Sequence, residues 1–523
     1  MTDPLTRLAI LNGTDKFGYH DYTPHYFGLL NHLRDEPLKL LEIGVGGYGS
    51  PVRGGESLAV WRDFFPEGQI TGLDIQRKTI DLGSRVRIVQ GSQVDADCLS
   101  QIEAERGPFD VILDDGSHRN EHVVESFALL FPGLKPGGLY LVEDVQTSFF
   151  PRFGGSLTLD APNSVGMAAE IMAQLQRGEG GEIVAVERFH NIFAFWKRDP
   201  GQPAPGIEND RRVRAADGVT RIAADSVTDA AALMQAVDRV GEAGLLLIEG
   251  RPDPALLLQL FVEVDHTEIR VHFPDAPLLP TAPRILGMAI YGDGVVLQVG
   301  DNTYPSNFDY SPENPLAAAA MATISEVITD PAATENGLQQ AAVMTERFHG
   351  ADAAAPLLQR LSQMGCTDQR FYLLYAKLLR QSEDWPAMER LCREALTHLP
   401  DDPQVLPTLA LALRRQGRLD EALELLRTAH EANPRVRSIV TTLANLEVSV
   451  GNRPRAIELL EKAMVLFPPA DRAGRQRKLI ELCLASGDQE AAQRVARRLR
   501  EAVPDDPLAT EVLGPVADSD AKS

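Results

Sequence analysis

Two short apolar runs that end in carboxylates constrain the fold of this chain more than any other feature. The first run, DVILDDGSH, spans residues 110–118, and the second, LYLVED, spans residues 139–144. Ligands of an open parallel sheet bind at the carboxyl ends of its strands. Two such strands side by side gather five polar residues around one crevice: Asp114, Asp115, His118, Glu143 and Asp144. Several acids with a histidine beside them indicate a site for a hard divalent cation and a base.

The chain around these runs alternates between apolar strands and helices. Strands are expected at residues 38–43, 69–75 and 86–89. The first leads into Gly44-Val-Gly46-Gly47, where glycine lets the backbone approach a ligand closely. The second contains Asp74, whose carboxylate suits ribose hydroxyls. This alternation predicts a doubly wound, nucleotide-type α/β domain.

The glycine-rich turn differs from the dinucleotide-binding fingerprint. In that fingerprint a third glycine opens a helix immediately. Here a loop over residues 48–57 precedes the helix expected at residues 58–65. The turn alone is therefore weak evidence for any particular cofactor.

Residues 18–26 are rich in aromatic side chains and histidines and follow neither a helical nor a strand period. Such a segment either packs on a neighbouring helix or folds over a ligand as a lid. The sequence leaves both alternatives open.

Seven motifs in the first 155 residues resemble one family of enzymes. They are GTDK at 13–16, LLEIGVGGY at 40–48, GGESL at 54–58, GLDI at 72–75, GSQ at 91–93, DDGSH at 114–118 and ED at 143–144. The order resembles class I S-adenosylmethionine (SAM)-dependent methyltransferases, and more narrowly the magnesium-dependent O-methyltransferases that act on macrolide sugars and other glycosylated natural products. The resemblance implies a Rossmann-like methyltransferase fold, SAM and Mg²⁺ as cofactors, and a sugar-containing small molecule or glycan as acceptor.

The resemblance also implies a role for each motif residue. The cofactor residues would be Glu42, Gly44 and Gly46 at the methionine end, Asp74 at the ribose, Ser92 and Gln93 near the adenine, and Asp114 as a cofactor-facing or supporting group. The metal ligands would be Asp115, Glu143 and Asp144, and the catalytic base would be His118.

The chemistry of these side chains is consistent with that reaction. A sugar hydroxyl is too weak an acid to be a good nucleophile at neutral pH. Mg²⁺ prefers carboxylate and water oxygens, and as a Lewis acid it lowers the pKa of a bound hydroxyl. Histidine is the side chain best suited to accept a proton near neutral pH, and His118 is the candidate for that role. The alternative is that some of these acids only cap helices, as aspartates at strand ends often do.

Residues 150 to about 313 continue the α/β pattern. A hairpin at 186–198 is typical of the end of a methyltransferase sheet, and the Pro/Gly-rich stretch 199–206 resembles a linker. We therefore expect the methyltransferase domain to span 1–200. Residues 201–313 then form a small α/β subdomain of uncertain role, interpreted as a partial copy of the catalytic fold.

The elements predicted in this middle segment are short. They are strands at 219–223, 244–249 and 267–273, helices at 229–240 and 254–264, and a hairpin at 285–299. His190 and His272 lie in apolar strands, which favours a core position over a catalytic one.

Internal repeats begin in the C-terminal third of the chain. Pro400, Pro434 and Pro468 are 34 residues apart, which is the period of tetratricopeptide (TPR) repeats. Alanines recur at matching positions: Ala376, Ala410 and Ala444 in the first helix of each pair, and Ala395, Ala429 and Ala463 in the second. The pattern predicts an all-α TPR solenoid at 367–506, preceded by a helical connector at 314–366 and followed by a disordered tail at 507–523.

The composition of the chain argues against some classes of binding partner and indicates a cellular compartment. The net charge of −23 argues against nucleic acid or an anionic membrane. The four cysteines have no metal-ligand spacing, which favours free thiols in a reducing compartment. The N-terminus has no basic region followed by an apolar one, and no apolar run is long enough to span a bilayer. We therefore expect a cytoplasmic protein.

The sequence leaves three interpretations of the function. The first is a sugar O-methyltransferase in which the repeats bind a protein partner, the acceptor or another subunit. The second keeps the chemistry but replaces the sugar with a catechol-like molecule, which also chelates Mg²⁺. The third is a TPR scaffold with a vestigial methyltransferase domain.

Overall fold

The computed structural model describes residues 2–189, 191–253, 256, 284–300, 312–313 and 315–514. The chain divides into two compact units, Met1–Met344 and Thr345–Ser523. The first is an α/β unit and the second is entirely helical within the described residues.

Five parallel strands form the first part of the α/β sheet, in the order β3-β2-β1-β4-β5. They are β1 (Lys39–Ile43), β2 (Gln69–Asp74), β3 (Val86–Gln90), β4 (Val111–Asp114) and β5 (Leu139–Val142). Six helices accompany them: α1 (Pro4–Asn12), α2 (Thr23–Leu30), α3 (Glu56–Phe64), α4 (Ala96–Arg106), α5 (Asn120–Leu130) and α6 (Ser164–Arg177). The predicted Rossmann-like α/β fold is confirmed.

The inner strands β1, β2, β4 and β5 are mostly apolar and buried because both faces of the sheet are covered there, whereas the edge strand β3 is only partly buried. Successive residues of a strand point to opposite faces. In β5, Leu139 and Leu141 pack into one apolar cluster, whereas Tyr140 and Val142 pack into the other. The carboxyl ends of the strands therefore emerge from a rigid, fully packed layer.

An antiparallel hairpin, β6 (Ile183–Phe189) and β7 (Ile192–Lys197), adds to β5 through β7. The sheet does not end there, because β10 (Ile285–Tyr291) pairs with β6 and β11 (Gly294–Val299) pairs with β10. The described elements between the two hairpins are α7 (Arg211–Ala215), β8 (Thr220–Ala223), α8 (Ala230–Asp238) and β9 (Gly244–Glu249).

The described strands of segment 201–313, which was predicted as a small α/β subdomain, continue the same eleven-stranded sheet. An exposed edge at β6 would leave a row of backbone groups unpaired, and β10 satisfies them. The predicted parallel pair with a helix between its strands is confirmed in β8-α8-β9. The predicted helix 254–264, the strand 267–273, His190 and His272 lie outside the described residues, apart from residue 256.

The two halves of the sheet follow the same local order about the β6–β10 pair. On one side lie β4, β5, β7 and β6, and on the other lie β8, β9, β11 and β10. In each half a parallel pair is followed by an antiparallel hairpin. This order supports the interpretation of the second half as a partial copy of the first.

The remaining helices follow the sheet in sequence. They are α9 (Pro315–Val327), α10 (Glu335–His349), α11 (Ala351–Gln363), α12 (Gln369–Gln381), α13 (Trp385–His398), α14 (Val405–Arg415), α15 (Leu419–Ala432), α16 (Arg437–Ser449), α17 (Arg453–Ala463), α18 (Pro469–Ala485), α19 (Gln489–Ala502) and α20 (Pro507–Leu513). The predicted connector is divided, because α9 and the first ten residues of α10 belong to the α/β unit. None of the described helices has the length and hydrophobicity needed to cross a bilayer.

The pairs α12–α13, α14–α15, α16–α17 and α18–α19 are the expected repeats. Ala410 and Ala444 are fully buried, so neighbouring helices approach closely at these positions. Gly417 and Gly451 turn the chain between paired helices with φ of 80° and 81°, a conformation that glycine adopts at little cost.

The first seven residues of the segment predicted as a disordered tail form a helix. Pro507–Leu513 form α20, whose first turn is capped by Asp506 through hydrogen bonds from Leu508 N and Ala509 N, each 3.1 Å long. Ala509 packs with the last repeat, which provides the apolar contact that holds this helix. Residues 515–523 lie outside the described part of the chain.

If the sheet is one folding unit, damage in its second half destabilises the first. Leu297 of β11 is fully buried in the cluster that also contains Leu41 of β1. We expect Leu297→Ala to cost about 2–5 kcal/mol of stability. Hydrogen exchange should accelerate at the β1 amides as well as in β10 and β11. Acceleration confined to residues 285–299 would contradict a shared core, and Val465→Ala on an exposed side chain serves as the control.

Candidate active site

Three side chains at the carboxyl ends of β4 and β5 form a group with metal-ligand geometry. One ligand atom from each of Asp115, His118 and Asp144 lies within 4.8 Å of the others. His118 Nε2 is 3.7 Å from Asp115 Oδ1 and 3.7 Å from Asp144 Oδ2. The parallel pairing of β4 with β5 brings these residues together from distant positions in the sequence.

His118 and Asp144 both adopt left-handed backbone conformations, with φ of 55° and 53°. Such conformations are uncommon for residues other than glycine and cost of order 1 kcal/mol or more. They concentrate at functional sites, where the surrounding structure enforces them. Here they direct both side chains into the same crevice.

Lys16 is the buried cation of this site. Its ammonium lies 2.7 Å from Asp115 Oδ2, 2.6 Å from Glu143 Oε1 and 3.5 Å from Glu42 Oε1, and the side chain is only 2% exposed. Burial acts to lower the pKa of Lys16, but the three carboxylates outweigh it and raise that pKa well above its usual value. Lys16 is therefore charged, and it joins the acids of β4 and β5 to the end of β1.

Two tyrosines of the aromatic segment also reach the acids. Tyr26 OH, in α2, donates to Glu143 Oε1 at 2.5 Å, and Tyr22 OH donates to Asp144 Oδ1. Both tyrosines are buried. The segment packs into the core and also contacts the site, so it combines features of both alternatives that the sequence left open.

The two acids after β5 have opposite electrostatic environments. Burial, together with the charge of Asp115, raises the pKa of Glu143 well above its usual value. Burial acts in the same direction on Asp144, but His20, His118 and the Tyr22 hydroxyl hold the pKa of Asp144 below its usual value. The surroundings of Asp144 thus favour its ionised form, whereas Glu143 Oε1 accepts hydrogen bonds from Lys16 and Tyr26.

The glycine-rich loop lies against these acids. A Cβ atom on Gly44 would stand 2.1 Å from the carbonyl oxygen of Asp115, so only glycine fits between the ends of β1 and β4. Gly44 has a φ of 93°. Gly44 therefore lies against the backbone of Asp115, a member of the predicted metal group, whereas Gly46 lies against Gly54 within the loop.

Glu42, at the end of β1, is fully buried beside this loop. Ser57 Oγ and Trp61 Nε1 donate to its Oε2, at 2.9 and 3.1 Å. Its Oε1 accepts no hydrogen bond from the described residues. Burial raises the pKa of Glu42 to about 7, although Lys16 partly offsets this effect.

Asp74 follows the predicted pattern at the end of β2. Its carboxylate accepts from Val45 N at 3.0 Å and from Gln76 N at 2.7 Å, which fixes it beside the glycine-rich loop. Ser92 is only partly buried, and its hydroxyl accepts from Val94 N at 3.3 Å.

Asp114 and Gln93 lie beneath the site rather than in it. Ser126 Oγ donates to Asp114 Oδ2 at 2.5 Å, and Gln93 Nε2 donates to Asp114 Oδ1 at 3.1 Å. Gln93 Oε1 accepts from Ser117 N at 2.9 Å. Burial raises the pKa of Asp114 to about 6, although its hydrogen bonds oppose the shift. This placement favours the supporting role of Asp114 over contact with a cofactor.

Sequence reasoning assigned no role to Lys16, Tyr22, Tyr26 or Ser126. Lys16 belongs to the GTDK motif, and the two tyrosines belong to the aromatic segment. The sequence singles out both segments but does not indicate which residues their side chains contact. Ser126 lies inside α5, where its spacing gives no signal of a contact with β4.

The fold and this site define the α/β unit as a Rossmann-like domain with acids and a histidine gathered at the carboxyl ends of its strands. Relatives that are similar to part of the chain include two O-methyltransferases. Mycinamicin VI 2''-O-methyltransferase of Micromonospora griseorubida is 45% identical over 203 residues, which are 36% of this chain and 51% of that protein. Demethylmacrocin O-methyltransferase of Streptomyces fradiae is 44% identical over 194 residues, which are 34% of this chain and 49% of that protein.

Among solved structures, the MycE methyltransferase from the mycinamycin biosynthetic pathway, in complex with Mg, SAH and mycinamycin VI, is 41% identical. The match covers 39% of this chain and 57% of that chain, with a TM-score of 0.36. A thermophilic TPR protein of Thermus thermophilus is 20% identical, covering 34% of this chain and 97% of that chain, with a TM-score of 0.27.

No family model matches the chain. The chain spans about half the length of the relatives that it matches. Within that limit, the predicted resemblance to sugar O-methyltransferases is confirmed.

The geometry predicts different roles for Asp114, at the end of β4, and Asp144, after β5. We expect Asp144→Asn to weaken Mg²⁺ binding by at least the ~10–100-fold that is typical when only a hydrogen-bonding partner of a ligand is changed, because it removes the negative charge of the ligand itself. Asp114→Asn should leave Mg²⁺ affinity within about twofold and lower stability by about 1–3 kcal/mol, through the Ser126 and Gln93 contacts. Isothermal titration calorimetry and denaturant unfolding measure the two effects. Equal losses of Mg²⁺ affinity in both variants would contradict the assignment.

Proposed function

We propose that this chain is a SAM- and Mg²⁺-dependent O-methyltransferase that acts on a sugar hydroxyl of a glycosylated natural product or other glycan. The supporting observation is the meeting of Asp115, His118 and Asp144 at the carboxyl ends of β4 and β5, against the glycine-rich loop after β1. The similarity to sugar O-methyltransferases over about a third of the chain supports the same reaction.

The residues around Glu42 fit the cofactor. Glu42 Oε1 is a buried acceptor that receives no hydrogen bond from the described residues, although the Lys16 ammonium is 3.5 Å away. It lies beside glycines with left-handed backbone conformations. A buried acceptor of this kind needs a donor. The amino group of the methionine part of SAM is such a donor, and Asp74 would hold the ribose.

The acids fit a hard cation. Mg²⁺ is bound in proteins through one or two carboxylates and retains several waters, some of which a substrate replaces. Asp115 Oδ1 and Asp144 Oδ2 supply two such oxygens on either side of His118. Glu143 would join them through the carboxylate oxygen that Lys16 and Tyr26 do not contact.

When bound, SAM supplies an electrophilic methyl group, and Mg²⁺ supplies the Lewis acid that makes the acceptor hydroxyl easier to deprotonate. His118 takes the proton of that hydroxyl at Nε2, the nitrogen that faces both carboxylates. The positive charge that forms on His118 lies between Asp115 and Asp144. Lys16, Tyr22 and Tyr26 hold the acids in place for this transfer.

The helical repeats have a separate role in this proposal. Arrays of paired helices present extended surfaces to other molecules. We expect the repeats to bind a protein partner, the acceptor or another copy of the chain, and this expectation stays a prediction.

His118→Ala should lower methyl transfer by about 10²–10⁴-fold, because a positioned general base contributes that much to a rate. The nearby His122 bonds Ser117 Oγ at 2.8 Å and does not belong to the metal group, so His122→Ala is the matched control and should remain active. The measurement is transfer of labelled methyl from SAM to a panel of glycosides and catechols, with and without a chelator.

Each arm of that experiment decides between interpretations. Chelator-resistant transfer, or a fully active His118→Ala variant, would overturn the mechanism. Transfer to catechols alone would replace the sugar with a phenolic diol. Failure to bind SAM in calorimetry would favour the scaffold interpretation.

A further inference from the structure

A second cavity lies at the opposite end of the sheet from the acids. Its volume is about 620 Å³. Gly137, which precedes β5, lines the cavity, whereas Glu143 and Asp144 follow β5. The four residues of β5 rise about 3.3 Å each, so the two ends are about 13 Å apart along the strand. The cavity is therefore separate from the site described above.

The walls of the cavity are largely rings and aliphatic groups. Phe27, His32 and Trp196 contribute aromatic faces, and Pro203 and Pro205 of the Pro/Gly-rich stretch close one side. The ring centroids of His32 and Trp196 are 6.5 Å apart. Small-molecule sites in proteins have volumes of about 300–1,000 Å³ and are lined in this way.

Two acids in the wall, Glu187 and Asp210, are already paired with arginines. A third acid, Asp199, accepts from Gly201 N at 2.8 Å, and the cations Lys197 and Arg198 donate to backbone carbonyls. Glu187 is only 1% exposed and accepts from Trp196 Nε1 at 2.8 Å and from Arg211 Nη1 and Nη2 at 2.6 and 2.9 Å. Asp210 accepts from Tyr291 OH at 2.9 Å and pairs with Arg212. A charged ligand that engages Glu187 or Asp210 would have to break these buried pairs, which is unfavourable.

The neighbourhood of His32 favours its neutral form. Burial and the nearby Arg211 lower the pKa of His32. A neutral imidazole offers one donor and one acceptor to a ligand. Asn31 and Gln202, which also line the cavity, add amide donors and acceptors at its exposed side.

We propose that this cavity is a second binding site, and that it takes an uncharged aromatic small molecule bearing hydroxyl or carbonyl groups. The ring stacks against Trp196 and His32, and the polar groups meet the amides of Asn31 and Gln202. This site does not depend on the proposed methyl transfer, since it shares no residue with the acids or the glycine-rich loop.

The test uses the full chain and three naphthalene probes in isothermal titration calorimetry. The probes are 2-naphthol, which is neutral, naphthalene-2-sulfonate and 2-naphthylmethylammonium. We expect saturable one-to-one binding of 2-naphthol. Both charged probes should bind at least about tenfold more weakly than 2-naphthol. Binding of 2-naphthol should be unchanged when S-adenosylhomocysteine and Mg²⁺ are saturating.

Gly28 provides the variant. It lies in α2 and lines the cavity, and a Cβ atom added there meets nothing within 4 Å. The Gly28→Leu variant should therefore fold normally, and its affinity for 2-naphthol should be lower by about tenfold or more. Gly474→Leu is the matched control, because Gly474 is also helical and its added Cβ also meets nothing within 4 Å. Asn31→Phe is a second obstruction of the same wall.

Four results would overturn the proposal. They are the absence of saturable 2-naphthol binding, equal binding of the charged probes, undiminished binding in both Gly28→Leu and Asn31→Phe, and competition by S-adenosylhomocysteine.

Discussion

The ammonium of Lys16 is the interaction on which the site depends. It is buried among carboxylates from three strand ends: Glu42 of β1, Asp115 after β4 and Glu143 after β5. Without that cation, the charges of these acids would repel one another. Lys16 lies within hydrogen-bonding distance of Asp115 and Glu143 and offsets part of that repulsion. Lys16 thus links the glycine-rich loop to the acids of the metal group.

The strand ends were predictable from sequence because their pattern is local. An apolar run followed by acids is legible in residues 110–118 and 139–144, and the parallel pairing rule places such ends together. Lys16 could not be placed in the same way. Lys16 is 99 residues from Asp115 and 127 residues from Glu143 in the sequence. The residues around the GTDK motif therefore do not indicate which acids Lys16 contacts. The same limit applies to Ser126, whose partner Asp114 lies on another element.

The differences between the predicted and the observed fold have a common physical origin. Residues 201–313 have their own α/β pattern, so the sequence suggests an independent unit, but edge pairing of β10 with β6 decides their place. Pro507–Leu513 has a polar sequence context, yet the Asp506 cap and the packing of Ala509 order it. In both cases a tertiary contact outweighs the local signal. Asp114 shows the same principle in the site, where hydrogen bonds from Ser126 and Gln93 hold a strand-end acid beneath the metal group.

A double-mutant cycle tests the central role of Lys16 most directly. The free energy of opening β1, from hydrogen exchange without metal, would be compared in the wild type, Lys16→Met, Glu143→Gln and the double variant. Removing one partner of a buried ion pair costs about 3–5 kcal/mol. If Lys16 and Glu143 stabilise each other, the double variant loses about 1–3 kcal/mol less than the sum of the two single losses. Losses that add within about 0.5 kcal/mol would show that the two residues act independently and would contradict this account.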